Sequence, residues 1–240
     1  MGRPTHYSSE VATRCQRLIE RLSLQVEQDV ELATEFRGPL RTTFLLAMST
    51  PMVVLPMERL YKPIMGRPGV ADDTRLDADT EARVRTTFDG KRLGETPFFE
   101  AGQWSYVAVT PFFPVAEPWP SEVFDELDRP EALEAAERAQ ARDIMECLRN
   151  ALSHGGVAYL DSRGRQSDDA TNMLGFASFP SSRRTRELRL LRITVDGYQT
   201  FLGLWSKWLT DTEVETVLTY KGPGWFEVAA EEHARHSDFT

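Results

Sequence analysis

The sequence is short of several things, and each shortage excludes something. It has two cysteines in 240 residues, Cys15 and Cys147, and no CxxC pair. A disulfide framework needs more cysteine and structural zinc needs clustered ligands, so neither is expected. Both cysteines fall in stretches of helical pattern and are expected to be reduced, half-buried thiols. No apolar run comes near the roughly 18 residues of a membrane span. The richest stretch, Phe44 to Met57, is interrupted by Ser49, Thr50, Pro51 and Pro56. The first residues, Met1 to His6, lack the apolar centre of a secretion signal. A soluble, cytoplasmic protein with no membrane partner is expected. Repeats and low-complexity tracts are also missing. Positive charge is short: 28 Lys and Arg stand against 37 Asp and Glu, a net charge of −9. That speaks against non-specific coating of nucleic acid, which usually needs a basic domain, but leaves room for a local basic cleft.

What is present suits a helical protein. Hydrophobic residues make up 41% of the chain, enough for one sizeable core. Residues 8 to 35 carry Val11, Cys15, Leu18, Leu22, Val26, Val30 and Ala33 at spacings of three and four, the stripe of an amphipathic helix. Ser8 or Ser9 is placed to cap it, and Gly38-Pro39 ends it. Residues 40 to 60 read as a second helix, apolar around most of its circumference and therefore buried. Pro51 is expected to kink or divide it. Residues 62 to 120, punctuated by glycine and proline, read as a long irregular insertion. Within it, Asp72 to Arg85 resembles a short helix, and Trp104 to Val109 a strand or a buried helical turn. A short helix follows Ser121. Asp128 then stands as cap to a strong helix with Pro130 in its first turn, running to about Ser153. Residues 157 to 195 read as a small β-hairpin excursion around Val157–Leu160 and Leu188–Val195. A last helix spans Tyr198 to Leu209, and residues 219 to 240 read as a frayed tail.

Arg149-Asn150-Ala151-Leu152-Ser153-His154-Gly155-Gly156 closes the strong helix and holds the one histidine far from both termini. A helix turns about 100° per residue, so Asn150 and His154 stack on one face and the long Arg149 side chain reaches the same place. Histidine moves protons near neutral pH, and arginine holds a phosphate and steadies charge that develops on it. These types suit phosphodiester cleavage without a metal, and no carboxylate set of a two-metal nuclease is apparent. A plainer reading is a helix C-terminus with the usual cation and glycine.

Arg149-Asn150-x3-His154, preceded by two long helices and followed by one more, resembles the signature of the HEPN superfamily (higher eukaryotes and prokaryotes nucleotide-binding domains). Leu148 to Gly156 is particularly similar to its stand-alone bacterial members. The resemblance implies a mainly α, up-and-down HEPN-type helical bundle over residues 1 to 240, with the small β-hairpin inserted after the motif helix. It also implies a homodimer through that bundle, with two motifs facing one cleft and no cofactor. The implied activity is metal-independent RNA cleavage, often by toxins or anti-phage effectors that answer to an antitoxin or regulatory protein. Arg149 would contact the scissile phosphate, His154 would serve as general acid/base, and Asn150 would position. Some members only bind RNA, nucleotide or protein, so an inactive module is the alternative. A third reading is a structural dimer with the second helix as its interface.

Further candidates are secondary. Arg183, Arg184 and Arg186, with Arg189 and Arg192, form the clearest basic patch and could track an RNA backbone; a charged strand edge is the plainer reading. Tyr159, Trp104 and Trp119 could stack on bases, or simply pack. His233 and His236 beside Glu231 and Glu232 have metal-ligating types, but a mobile tail suits them better, and no metal is expected.

Overall fold

A computed structural model describes residues 7–66, 78–110, 113–115, 117–166, 170–179 and 187–211. The element order is α1 (Tyr7–Gln28), α2 (Val30–Glu35), α3 (Arg41–Ser49), two π-helical segments (Thr50–Val54 and Met57–Tyr61), α4 (Lys62–Ile64), α5 (Ala78–Phe88) and a 3-10 turn (Leu93–Glu95). There follow β1 (Trp104–Val109), α6 (Ser121–Leu127), α7 (Pro130–Arg138), α8 (Ala141–His154), β2 (Val157–Leu160), β3 (Met173–Ser178), β4 (Leu188–Thr194) and α9 (Val195–Asp211).

The four strands form one antiparallel sheet in the order β1-β4-β3-β2. The expected mainly α bundle with a hairpin insertion is therefore corrected: the chain is mixed α/β, built on a sheet with both faces covered. Successive side chains of a strand point to opposite faces. Trp104, Leu174, Phe176, Leu191 and Ile193 pack into the main core with α1, α3, the π-helical segments, α8 and α9. Ala158, Leu160, Ala177, Leu188 and Leu190 pack on the other side against Trp119 and α6. Burial on both faces explains why these strands carry so little apolar–polar alternation. Gly175 in β3 lets Trp119 lie flat on the sheet, since a Cβ there would stand 2.7 Å from the indole ring. That ring stacks on Phe124 at 5.9 Å.

Within the expected irregular insertion, the described residues 78–110 are a structural part of the fold. β1 supplies an edge strand, paired from Trp104↔Ile193 to Val109↔Leu188. Phe88, Leu93 and Phe98 are buried. Phe98 meets Trp205 and Trp208 edge-on at 5.1 and 5.5 Å, tying this segment to α9. Tyr61 packs on Phe88 at 4.7 Å.

The helices are more broken than their patterns predict. The first divides at Asp29, whose side chain accepts from the backbone N–H of Leu32 at 3.0 Å and caps α2. Its buried line runs through Ala12, Cys15 and Ile19, whereas Leu18 and Val30 of the expected stripe are exposed. The second continues past Pro51 and Pro56 by widening into π-helical turns in place of a break. In an α-helix the Met52 carbonyl would accept from residue 56, and a proline has no N–H to give. Trp205 Nε1 donates to that carbonyl instead, at 2.8 Å. The third expected helix is two, α7 and α8, with extended backbone at Ala139 and Gln140. There the chain forms a bridge with Arg92 and its neighbours: Leu93 N donates to Ala139 O at 2.8 Å and Ala141 N to Lys91 O at 2.9 Å. Asp128 does not cap. It accepts from Arg192 Nη1 at 2.7 Å and Arg165 Nη2 at 2.8 Å, below the sheet. Burial works against its ionisation, but those hydrogen bonds prevail and hold the carboxyl below its ordinary range.

No helix among the described residues is long and apolar enough to cross a membrane. His233, His236 and the tail lie outside the described residues.

Trp205→Phe removes the donor that matches the Met52 carbonyl and leaves a small void. It is expected to lower the free energy of unfolding by about 2–4 kcal/mol, read from urea denaturation.

Candidate functional site

α8 is the most strongly amphipathic helix among the described residues, and its inner face sets what its outer face presents. Ile144, Met145, Cys147, Leu148 and Ala151 are buried. Arg149, Asn150 and His154 are thereby left at the margin of the core, and the helix stops where they lie. Gly155 takes the left-handed conformation expected of it (φ 74°, ψ 21°), and its N–H and that of Gly156 both donate to Ala151 O. Gly156 is required for a different reason. A Cβ there would overlap the carbonyl oxygen of Ala177, and Ala177 N donates to Gly156 O at 2.7 Å. The bare backbone lets the helix end seat directly on β3.

That contact builds a cleft. Arg149, Asn150, His154 and Gly156 form one wall, Ala177, Ser178 and Phe179 at the end of β3 another, and Val115 a third, around a volume of about 480 Å³. The three motif residues are brought together at one solvent-accessible place. Their environments differ sharply. The Arg149 side chain is only 12% exposed, and its Nη1 pairs with Glu58 Oε1 at 2.9 Å. Its Nε is buried with no hydrogen-bond partner. Asn150 Nδ2 lies 3.5 Å from Phe179 O, a contact at the limit of a hydrogen bond. His154 is exposed, and among the described residues its imidazole has no hydrogen-bond or ion-pair partner. It sits in the last turn of α8.

Behind the cleft, Cys147 is buried, and its thiol lies beside Ser178 and donates to Arg189 O at 3.5 Å. Burial pushes the thiol up to about 11, against smaller opposing effects of Ser178 and Arg189. Ser178 is buried too, and its Oγ has no oxygen or nitrogen partner.

The secondary candidates scatter. Tyr159 is exposed but lines a separate cavity of about 270 Å³ with the 36–43 turn and residues 170–171. Arg183, Arg184 and Arg186 lie outside the described residues. Arg189 is 3.4 Å from Asp143 on the α8 face of the sheet, whereas Arg192 is bound to Asp128 and Leu127 O on the other. The expected stripe of basic residues is thus divided between two faces, as strand alternation requires. Trp104 and Trp119 are buried, the first edge-on to Phe201 and the second stacked on Phe124. Among the described residues there is no group of three or more His, Cys, Asp or Glu able to hold a metal ion. Ser178 and Phe179, which line the cleft, and Glu58, which pairs with Arg149, are residues that the linear pattern does not disclose, because each comes from an element remote in sequence.

No protein-family model, no curated protein and no solved structure matches this chain. The resemblance to HEPN proteins therefore rests on the Arg149-to-His154 segment and its flanks.

Two outcomes are expected of this geometry. Gly156→Ala should cost about 1–3 kcal/mol of stability, seen as a lower melting temperature, because neither backbone at the contact can yield without moving α8 or β3. Burial holds the Cys147 thiol well above its ordinary range, so little of it is ionised at pH 8. Cys15 is raised too, through burial. Native protein at pH 8 should therefore take up a thiol reagent far more slowly than urea-unfolded protein, which should titrate two thiols.

Proposed function

We propose that the cleft at the end of α8 cleaves RNA without a metal ion. The observation that supports this best is the convergence of Arg149, Asn150 and His154 on one open cleft, with the imidazole unengaged and the guanidinium held in place. The cleft is wide enough for a phosphodiester and its flanking sugars, and Phe179 at its edge offers an apolar surface to a base. In the reaction, the ribose 2′-hydroxyl attacks the adjacent phosphorus and the bond to the 5′-oxygen breaks. His154 exchanges the proton that must leave one oxygen and reach the other, and Arg149 steadies the charge on the phosphoryl oxygens. Asn150 orients the phosphate or the imidazole. The products are a 2′,3′-cyclic phosphate and a 5′-hydroxyl. A toxin or anti-phage role, a cytoplasmic setting, a second copy of the chain as partner and control by an antitoxin or regulatory protein belong to the same proposal.

One observation favours a second reading. Glu58 balances the charge of Arg149, and a neutralised arginine suits a module that binds RNA, nucleotide or a protein partner without cutting.

Incubation with RNA in EDTA separates the two. The wild type is expected to release cyclic-phosphate ends, with the rate falling by about 10²–10⁴-fold in His154→Ala and about 10²–10³-fold in Arg149→Ala. Equal cleavage by all three proteins would remove the site. Binding without cleavage would favour the second reading.

A further inference from the structure

The motif residues do not explain why Arg149 is held as it is. Its guanidinium lies at the margin of the core, 12% exposed, on a helix whose neighbouring residues are buried. Its one described ion pair is with Glu58, which is not among the residues lining the cleft. Glu58 is in turn gripped from the other side by Lys62 Nζ at 2.6 Å. All three side chains are more than three-quarters buried, at 12%, 23% and 21% exposure. They therefore form a fixed chain, Lys62–Glu58–Arg149, in surroundings where charge pairs are screened little.

The backbone under Glu58 is unusual as well. It belongs to the π-helical segment Met57–Tyr61, one of two such segments in a single rod. π-Turns are rare, and they occur often at functional sites because the extra residue re-aims a side chain. Met57, Leu60 and Tyr61 anchor this turn in the core, so Glu58 is presented from a rigid base.

The geometry of the guanidinium gives the chain a use. An arginine holds a phosphate with two parallel N–H groups, and it does so best when its fork cannot rotate. Glu58 takes Nη1, while Nε is left buried and without a partner. With Nη1 engaged and Nε enclosed, the guanidinium has little freedom to turn at the cleft wall.

We infer that Glu58 is a positioning residue for Arg149: by clamping Nη1 it fixes the orientation of the guanidinium that a phosphate in the cleft would meet. Lys62 holds the clamp. The inference rests on the RNA-cleavage reading for its chemistry, but the clamp itself can be tested apart from it.

The experiment compares full-length wild type, Glu58→Ala, Glu58→Gln and Arg149→Ala. Cleavage of an RNA oligonucleotide in EDTA gives kcat and KM. Affinity for the same oligonucleotide with 2′-O-methyl groups, which cannot be cut, gives binding alone. Far-UV circular dichroism and thermal melting check folding. Glu58→Ala is expected to lower kcat by about 10–100-fold and to weaken binding of the methylated strand towards the level of Arg149→Ala. Glu58→Gln keeps an acceptor oxygen for Nη1 and is expected to recover most of that loss. A folded Glu58→Ala protein with wild-type kcat overturns the inference, and so does a Glu58→Gln protein as impaired as Glu58→Ala. Should Glu58→Ala fail to fold, Glu58→Gln and Glu58→Asp decide: the first must retain more activity than the second, whose shorter carboxylate cannot reach Nη1. If the wild type cuts no RNA, the cleavage reading fails while the clamp is still judged by affinity for the methylated strand. Weakening in Glu58→Ala to the level of Arg149→Ala supports the clamp, and unchanged binding overturns it.

Discussion

The contact between the end of α8 and β3 is the constraint on which the rest of the structure depends. Gly156 has no side chain, so the backbone of the helix exit lies directly against Ala177 and shares a hydrogen bond with it. This brings a helix terminus and a strand terminus to one point. The cleft is the space left where both elements stop. Everything on the inner side of α8 follows from the same seating: Leu148 and Ala151 enter the core with Leu174 and Phe176, and Cys147 is pressed against Ser178. A bulkier residue at 156 would lift the helix from the sheet and open both the core and the cleft.

The sheet makes that seating rigid. An antiparallel sheet with one wet face can slide or twist, but here both faces are filled, by the large aromatic core on one side and by Trp119 and α6 on the other. Arg192 crosses from β4 to Asp128 and the Leu127 carbonyl, fastening the end of α6 beneath the strands. Phe98, Trp205 and Trp208 lock the 93–104 segment and α9 together above them. A cleft whose walls are fixed in this way holds its polar groups in position before any ligand arrives, which is the condition under which charge stabilisation costs no reorganisation.

Much of the local structure is legible along the chain. The period of apolar residues in α8, the two glycines after it and the strand-like runs at 157–160 and 188–194 follow from rules that act over a few residues. Less legible are the breaks. Asp29 ends one helix because its carboxylate competes for a backbone N–H. Ala139 and Gln140 end another because a distant segment, 91–93, offers their backbone a partner. At Pro56 the rod persists with Trp205 supplying the Met52 carbonyl with the hydrogen bond that the proline cannot. The fold class itself is misread from pattern alone. Strands buried on both faces look like core, and β1 pairs with a strand far along the chain, so the run from Trp104 to Val109 reads equally as strand or buried helical turn and does not disclose its partner.

By itself the sequence determined the chemistry available at one helix end: a cation, an amide and an imidazole at a spacing that the helical turn must gather, then glycines that must stop the helix. It also determined the scarcity of thiols and of long apolar runs. Tertiary structure alone decided what surrounds those residues. It placed Glu58 behind Arg149 and Ser178 and Phe179 across from it, sent Tyr159 to another cavity, and divided Arg189 from Arg192 by the thickness of the sheet. The reason is physical. Helical period and backbone preference are set by near neighbours, whereas burial, charge pairing and strand order depend on which distant segments come to share one core.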